Sequence, residues 1–288
     1  MTTPIIDFHQ HLWPDGLVAL LSRRTTPPLL RGDVLTTVEG GFAVDLAAHR
    51  LSSRLAALDR AGIERAVVSL QPTLGIHLLP TGEARPLIDA YHEGALELAE
   101  QSRGRIVPLS VGVALDGFAG ACVPARFIWG EVAPLLVQDL HERNQFLFVH
   151  PGPAAFDGID EEWWAPVVDY TTQMQTAYAA WLACGAERWP SLPVVFAILA
   201  GGAPFQLERL ASRGVDTTLA TRANTYFDTA SYGRLALEFC LAAFGLHRLV
   251  YGSDSPVIEA TPPLDAIQTL GKEAVDAICS RNALALLV

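Results

Sequence analysis

The chain lacks any apolar run on the 18-residue scale that a membrane span requires. Its N-terminus enters a strand-like segment at once, without the charged-then-apolar pattern of a secretory leader. Both absences point to a cytoplasmic protein and away from a membrane. Positive charge is scarce: 20 Lys and Arg stand against 31 Asp and Glu in 288 residues, a formal net charge of −11. That balance argues against nucleic acid or an anionic bilayer as a partner, but a few arginines can still form a positive pocket for a small anionic substrate. Cysteine is sparse too. Cys122, Cys184, Cys240 and Cys279 are widely spaced and form no Cys-x-x-Cys pair, which disfavours a thiolate metal cluster or a disulfide framework and makes buried free thiols the expectation.

Half of the residues are apolar, at 50%, enough for a sizeable core. No repeat, low-complexity tract or linker divides the chain, so residues 1–288 read as one domain, a length α/β barrels use routinely. Short Val, Ile, Leu and Phe-rich strands alternate with amphipathic helices, the pattern of parallel β/α units with both sheet faces covered. Strands are predicted at 4–13, 65–70, 105–113, 120–124, 145–150, 193–199, 225–229 and 248–253. Helices are predicted at 46–61 with Gly62 as the stop, 86–102, 131–143, 168–184 and from Leu264 onward. Residues 14–45 read as a long loop, as does the stretch from strand two to Pro86. One segment resists the scheme: the strands near Val113 and at Gly120 are separated by too few residues for a crossover helix. Either the β/α unit around residues 106–125 is shortened or one of these strands is misassigned.

The chemistry concentrates at strand ends. Ile5-Ile6-Asp7-Phe8-His9-Gln10-His11 has period two, so His9 and His11 face the same way, and imidazole is the commonest protein metal ligand. His150 ends Phe146-Leu147-Phe148-Val149-His150, and Asp254 follows the strand ending at Ser253. Alone, His150 could be a hydrogen-bonded core histidine and Asp254 a turn or cap residue. Together the four supply three imidazoles and a carboxylate on the rim where barrel enzymes keep their active sites. Such a set suits one divalent ion, Zn²⁺ foremost, with Mn²⁺, Fe²⁺ or Co²⁺ also suited, and leaves room for an activated water.

On these residues the sequence resembles the amidohydrolase superfamily, in the branch that includes aminocarboxymuconate semialdehyde decarboxylase and the sugar-acid lactonases. The resemblance rests on Ile6-Asp7-Phe8-His9-Gln10-His11-Leu12-Trp13, Phe148-Val149-His150-Pro151-Gly152 and Tyr251-Gly252-Ser253-Asp254-Ser255-Pro256. Gly201-Gly202-Ala203-Pro204-Phe205, Glu208-Arg209-Leu210 and Asn282-Ala283 fit it as well. It implies a single (β/α)8 TIM barrel with one metal ion held by His9, His11, His150 and Asp254. One departure concerns mechanism: relatives usually carry a histidine before the Gly-Gly of strand six, where this chain has Ile198. Isoleucine can neither ligate metal nor move a proton.

Candidate substrate contacts are Trp13 and Trp163, as walls of a pocket, Arg50 and Arg54, one helical turn apart and suited to a carboxylate, His77, as a substitute for the missing imidazole, and Asp228. Each has a plainer alternative: packing for the tryptophans, solvent-facing helix charge for the arginines, a surface loop for His77. Asp228 could instead orient a ligand or cap a helix. The leading expectation is a metal-dependent hydrolase of a small carboxylated or cyclic ester or amide, of lactone type, with Asp254 as ligand and base and His150 beside it. Two alternatives remain: a non-oxidative decarboxylase, and a binding barrel left without catalysis by Ile198. A small-molecule substrate is the expected partner, and a homodimer is compatible with the sequence.

Overall fold

The structure, a computed structural model, describes residues 4–129, 133–154, 159, 161–222, 224–258 and 262–287. Eight parallel strands form the central sheet in sequential order: β1 Ile5–His11, β2 Ile63–Ser69, β3 Ile106–Val111, β4 Gly120–Pro124, β5 Phe146–His150, β6 Val194–Phe196, β7 Thr225–Asp228 and β8 Leu249–Val250. The two ends of the sheet meet. Phe8 N donates to Tyr251 O at 2.7 Å, Asp254 N to His9 O at 2.8 Å and His11 N to Ser255 O at 2.8 Å, so β1 pairs with the segment running out of β8 and the barrel closes without a free edge. Fully buried Phe8, Phe146, Phe148, Phe196 and Phe227 belong to the main core. No helix among the described residues is long and apolar enough to cross a membrane.

Gly62 caps the helix Leu51–Ala61 in the left-handed region, φ +68°, as its position after the last apolar repeat predicts. The disputed unit is shortened and both strands are real: Leu109 pairs with Gly120 and Val111 with Cys122, in parallel. Residues 112–119 return the chain without a helix. Eight extended residues reach roughly 26–29 Å, enough to run back along a strand of about 20 Å. Gln145 replaces the missing helix's hydrogen bonds in part, donating to Leu115 O and Phe118 O, both at 2.7 Å.

The long loop expected over 14–45 is instead a helix, Asp15–Arg23, and a three-stranded antiparallel sheet, Leu29–Arg31, Val34–Thr37 and Gly40–Ala43. The helix buries Leu17 and Leu21, one turn apart, and a second core around Trp13, Leu30, Leu35 and Tyr91 seats the small sheet on the barrel. These elements are too short to show sustained periodicity and are held by that tertiary contact. The helix predicted from Pro86 begins earlier, at Thr81, with Pro86 inside it. Glu131, the expected start of the next helix, lies outside the described residues, and the helix runs Ala133–Glu142. Cys184 is exposed, against expectation, while the other three cysteines are buried.

Candidate metal centre and its cavity

β1 places His9 and His11 on one face because they are two residues apart, β5 ends on His150, and the turn after β8 carries Asp254, whose backbone is held at φ +62°. One nitrogen or oxygen from each of the four lies within 4.8 Å of the others. His9 Nε2 and His11 Nε2 are 3.2 Å apart, and Asp254 Oδ1 lies 3.0 Å from His11 Nε2 and 3.5 Å from His9 Nε2.

Each imidazole is oriented through its other nitrogen. His9 Nδ1 donates to Asp228 Oδ2 at 2.9 Å, His11 Nδ1 to Ser69 O at 3.2 Å and His150 Nδ1 to Pro151 O at 2.8 Å. These partners are acceptors, so they place the protons on Nδ1 and leave the Nε2 lone pairs free. Bare lone pairs and a carboxylate oxygen at such distances repel one another unless a cation lies among them. Ligands about 2.0–2.1 Å from a tetrahedral ion stand roughly 3.3 Å apart, close to the 3.0–3.5 Å among His9, His11 and Asp254, with His150 within 4.8 Å of them. The donor set therefore fits a divalent metal.

The electrostatics agree. Burial alone would push His9 down, but Asp228 and Asp254 outweigh it and raise its pKa to about 9. Burial holds His11 and His150 below their ordinary values, aided at His150 by the neighbouring imidazoles. Burial works against the charge on Asp254, yet the three histidines keep its pKa below the ordinary carboxylate value. A field that favours a proton on His9 favours a divalent cation more, and the two compete for the same site.

The centre opens into a cavity of about 290 Å³. Trp13 lines it, stacked on His49 at 4.6 Å and donating from Nε1 to Gln71 Oε1 at 2.8 Å. Ile198 lines it where β6 ends, 8% exposed. It opens a run of left-handed residues, Ile198 to Gly202, that no β-branched residue adopts without cost. Ile198 N donates to Asp228 Oδ1 at 3.2 Å, so one carboxylate holds both this turn and His9.

Other candidates are placed elsewhere. Asp228 is fully buried behind His9 and does not line the cavity, so of the two readings the orienting one matches its position. Arg54 turns inward, donating to Gln10 Oε1 at 2.9 Å and His11 O at 3.0 Å. It supports the backbone of β1 because these buried acceptors need a donor, and it does not reach the barrel mouth. Arg50 is exposed at the N-cap of Leu51–Ala61. His77 lies on a turn of the β2 loop and lines a neighbouring cavity instead of the one at the metal centre. Trp163 is 52% exposed and packs against Trp164 with the rings tilted at 55°.

Sequence pattern did not single out Glu39, His49, Gln71 and Tyr170, all of which line the cavity. Glu39 sits in the turn between two strands of the small sheet. The strands around it, three or four residues long, carry no sequence signal strong enough to have found it. Tyr170 donates from its hydroxyl to Glu39 Oε2 at 2.7 Å, and the backbone N–H of Ala154 donates to Glu39 Oε1. Burial raises the pKa of both Glu39 and Tyr170, and Asp254 adds to the rise at Tyr170.

Known structures resemble this one over nearly its whole length. IDCase from Metarhizium anisopliae, in apo form, is 18% identical with a TM-score of 0.82, covering 99% of this chain and 97% of that one. The 5-carboxyvanillate decarboxylase LigW from Sphingomonas paucimobilis is 16% identical with a TM-score of 0.77, covering 99% of each. Dihydroxybenzoic acid decarboxylase from Polaromonas sp. JS666, with bound manganese and the inhibitor 2-nitroresorcinol, is 16% identical with a TM-score of 0.73, covering 99% and 97%. At these identities the likeness establishes the TIM-barrel fold. No curated protein matches the sequence. The family model described as amidohydrolase matches residues 136–287, more than half of the chain and the part that carries His150 and Asp254, and the chain therefore belongs to the amidohydrolase family.

Proposed function

We propose that this chain is a metal-dependent, non-oxidative decarboxylase of a small carboxylated substrate. The observation that carries the reading is the cavity: a four-donor centre faces a small space where Ile198, Leu35, Phe42, Leu74 and Val257 form an apolar wall. Hydrolysis needs an activated water and a proton for the leaving group. Loss of CO₂ needs no water, only a proton for the carbon left behind, and an apolar wall that strips solvent from a carboxylate favours it. The naming of similar structures as decarboxylases supports the same choice and moves it ahead of the hydrolase expected from sequence.

His9, His11, His150 and Asp254 would hold the ion, which would supply Lewis-acid charge to the substrate's oxygens when bound. Manganese, held by three similar structures, is the first ion to test, and zinc suits the same donors. The three histidines hold the Asp254 carboxyl below its ordinary value, and it lines the cavity. It can take a proton from a substrate hydroxyl on binding and return it to the carbon that loses CO₂, so that protons balance over the cycle. Trp13 offers a flat face along which a ring can lie.

The test is a panel of hydroxybenzoic acids, lactones and esters offered to protein loaded with Mn²⁺ or Zn²⁺. CO₂ release from a hydroxybenzoic acid is expected. Ring-opened or cleaved product without CO₂ would overturn the assignment.

A further inference from the structure

Among the described residues that line the cavity there is no arginine and no lysine, while Glu39, Asp45 and Asp254 contribute carboxyl groups. The one lysine of the sequence, Lys272, is exposed on the helix Lys272–Asp276. A bound ion can neutralise one carboxylate of a substrate, but nothing else in the described lining offers a positive charge to a second. The small sheet makes the opposite demand. Glu39 and Tyr170 are joined by a hydrogen bond of 2.7 Å that uses the tyrosine's proton, and the Ala154 N–H occupies one site on the other carboxylate oxygen. A carboxylate has about four acceptor sites and a phenol oxygen still accepts after donating. With Glu39 ionised, this pair has only acceptors left to offer the cavity it lines.

We propose that Glu39, backed by Tyr170, is a specificity-determining residue that selects a monocarboxylate carrying an O–H or N–H donor away from the carboxylate, and that rejects a second carboxylate at that end. This rests on the decarboxylase reading of the same cavity and deepens it. A donor facing the pair gains a charge-assisted hydrogen bond. A second carboxylate facing it is desolvated against a like charge with no counter-ion.

Two probes on one frame separate these outcomes: 4-aminosalicylate carries a distal amine, and 2-hydroxyterephthalate carries a distal carboxylate in its place. Their dissociation constants, measured calorimetrically on the manganese-loaded protein, should favour the amine by about tenfold or more, the worth of one hydrogen bond to a charged group. Glu39→Gln should erase most of that preference, and Glu39→Arg should reverse it. Circular dichroism and metal content establish that each variant is folded and loaded. If the arginine variant does not fold, the glutamine variant decides. Equal or tighter binding of the dicarboxylate, a preference unmoved by Glu39→Gln, or no binding of either probe would overturn the proposal. CO₂ release is scored separately. Its absence with the preference intact counts against the decarboxylase alone, and equal release from both probes with no preference counts against the specificity alone.

Discussion

His9 and Asp228, 219 residues apart, meet fully buried with Nδ1 and Oδ2 separated by 2.9 Å. The carboxylate fixes the tautomer and direction of the imidazole and so aims Nε2 at the common point of the centre. Groups in this position tune a metal through its ligand, and their loss typically weakens binding by about 10- to 100-fold. Asp228→Asn should therefore lower manganese affinity within that range while leaving the circular dichroism unchanged. Titration of metal into the apoprotein checks it, and unchanged affinity would show that the pair serves only packing.

Asp254 is the one carboxylate of the centre that also faces the cavity. Asp254→Asn keeps its size but removes its ability to carry a proton. The variant should fold, retain metal on three imidazoles with reduced affinity, and lose turnover by about 10² or more. Retention of full activity would exclude Asp254 as the proton carrier.

His49 Nδ1 accepts from the backbone N–H of Trp13 at 3.1 Å, and its ring is stacked on the indole. Burial, with help from the Arg54 guanidinium, pushes its pKa from the ordinary 6.5 down to about 3 in the folded protein. The unfolded chain thus binds the extra proton between these values, and stability rises with pH there. His49 makes its full contribution above pH 6.5 and loses it progressively as pH falls toward 3, by at most about 1.4 kcal/mol per pH unit. Urea unfolding of the wild type and His49→Gln from about pH 4 to 7 should show a shallower dependence in the variant. Parallel curves would rule out a neutral His49 as the source.

Cys184 is exposed, whereas Cys122, Cys240 and Cys279 are buried, with thiols pushed up to about 12. Thiolate is the reactive form. An aromatic disulfide reagent should titrate one fast thiol per native chain and four after denaturation, and Cys184→Ser should abolish the fast one. Two or more fast equivalents would contradict the packing.

The metal group was legible from sequence for a definite reason. Period-two alternation brings His9 and His11 to one face without reference to the rest of the chain, and β/α alternation puts the ends of β5 and β8 on the same rim as β1. Arg54 shows where that reasoning stops. Its place near the start of a helix suggested an arm over the mouth, but the buried carbonyl of His11 and the side chain of Gln10 needed a donor, and the guanidinium turned inward to them. The small sheet was hidden because strands of three or four residues carry too little pattern to stand out among Pro, Gly and Thr.

Local sequence, through periodicity and the placement of polar residues at strand ends, determined the barrel and the four donor side chains. The tertiary structure alone decided what faces them. Glu39 and Tyr170 meet across 131 residues because the small sheet folds back over the rim on a core formed with Trp13 and Tyr91. No local preference specifies a contact of that range. It exists because burying those apolar side chains brings the two polar groups together, and the hydrogen bond then satisfies them.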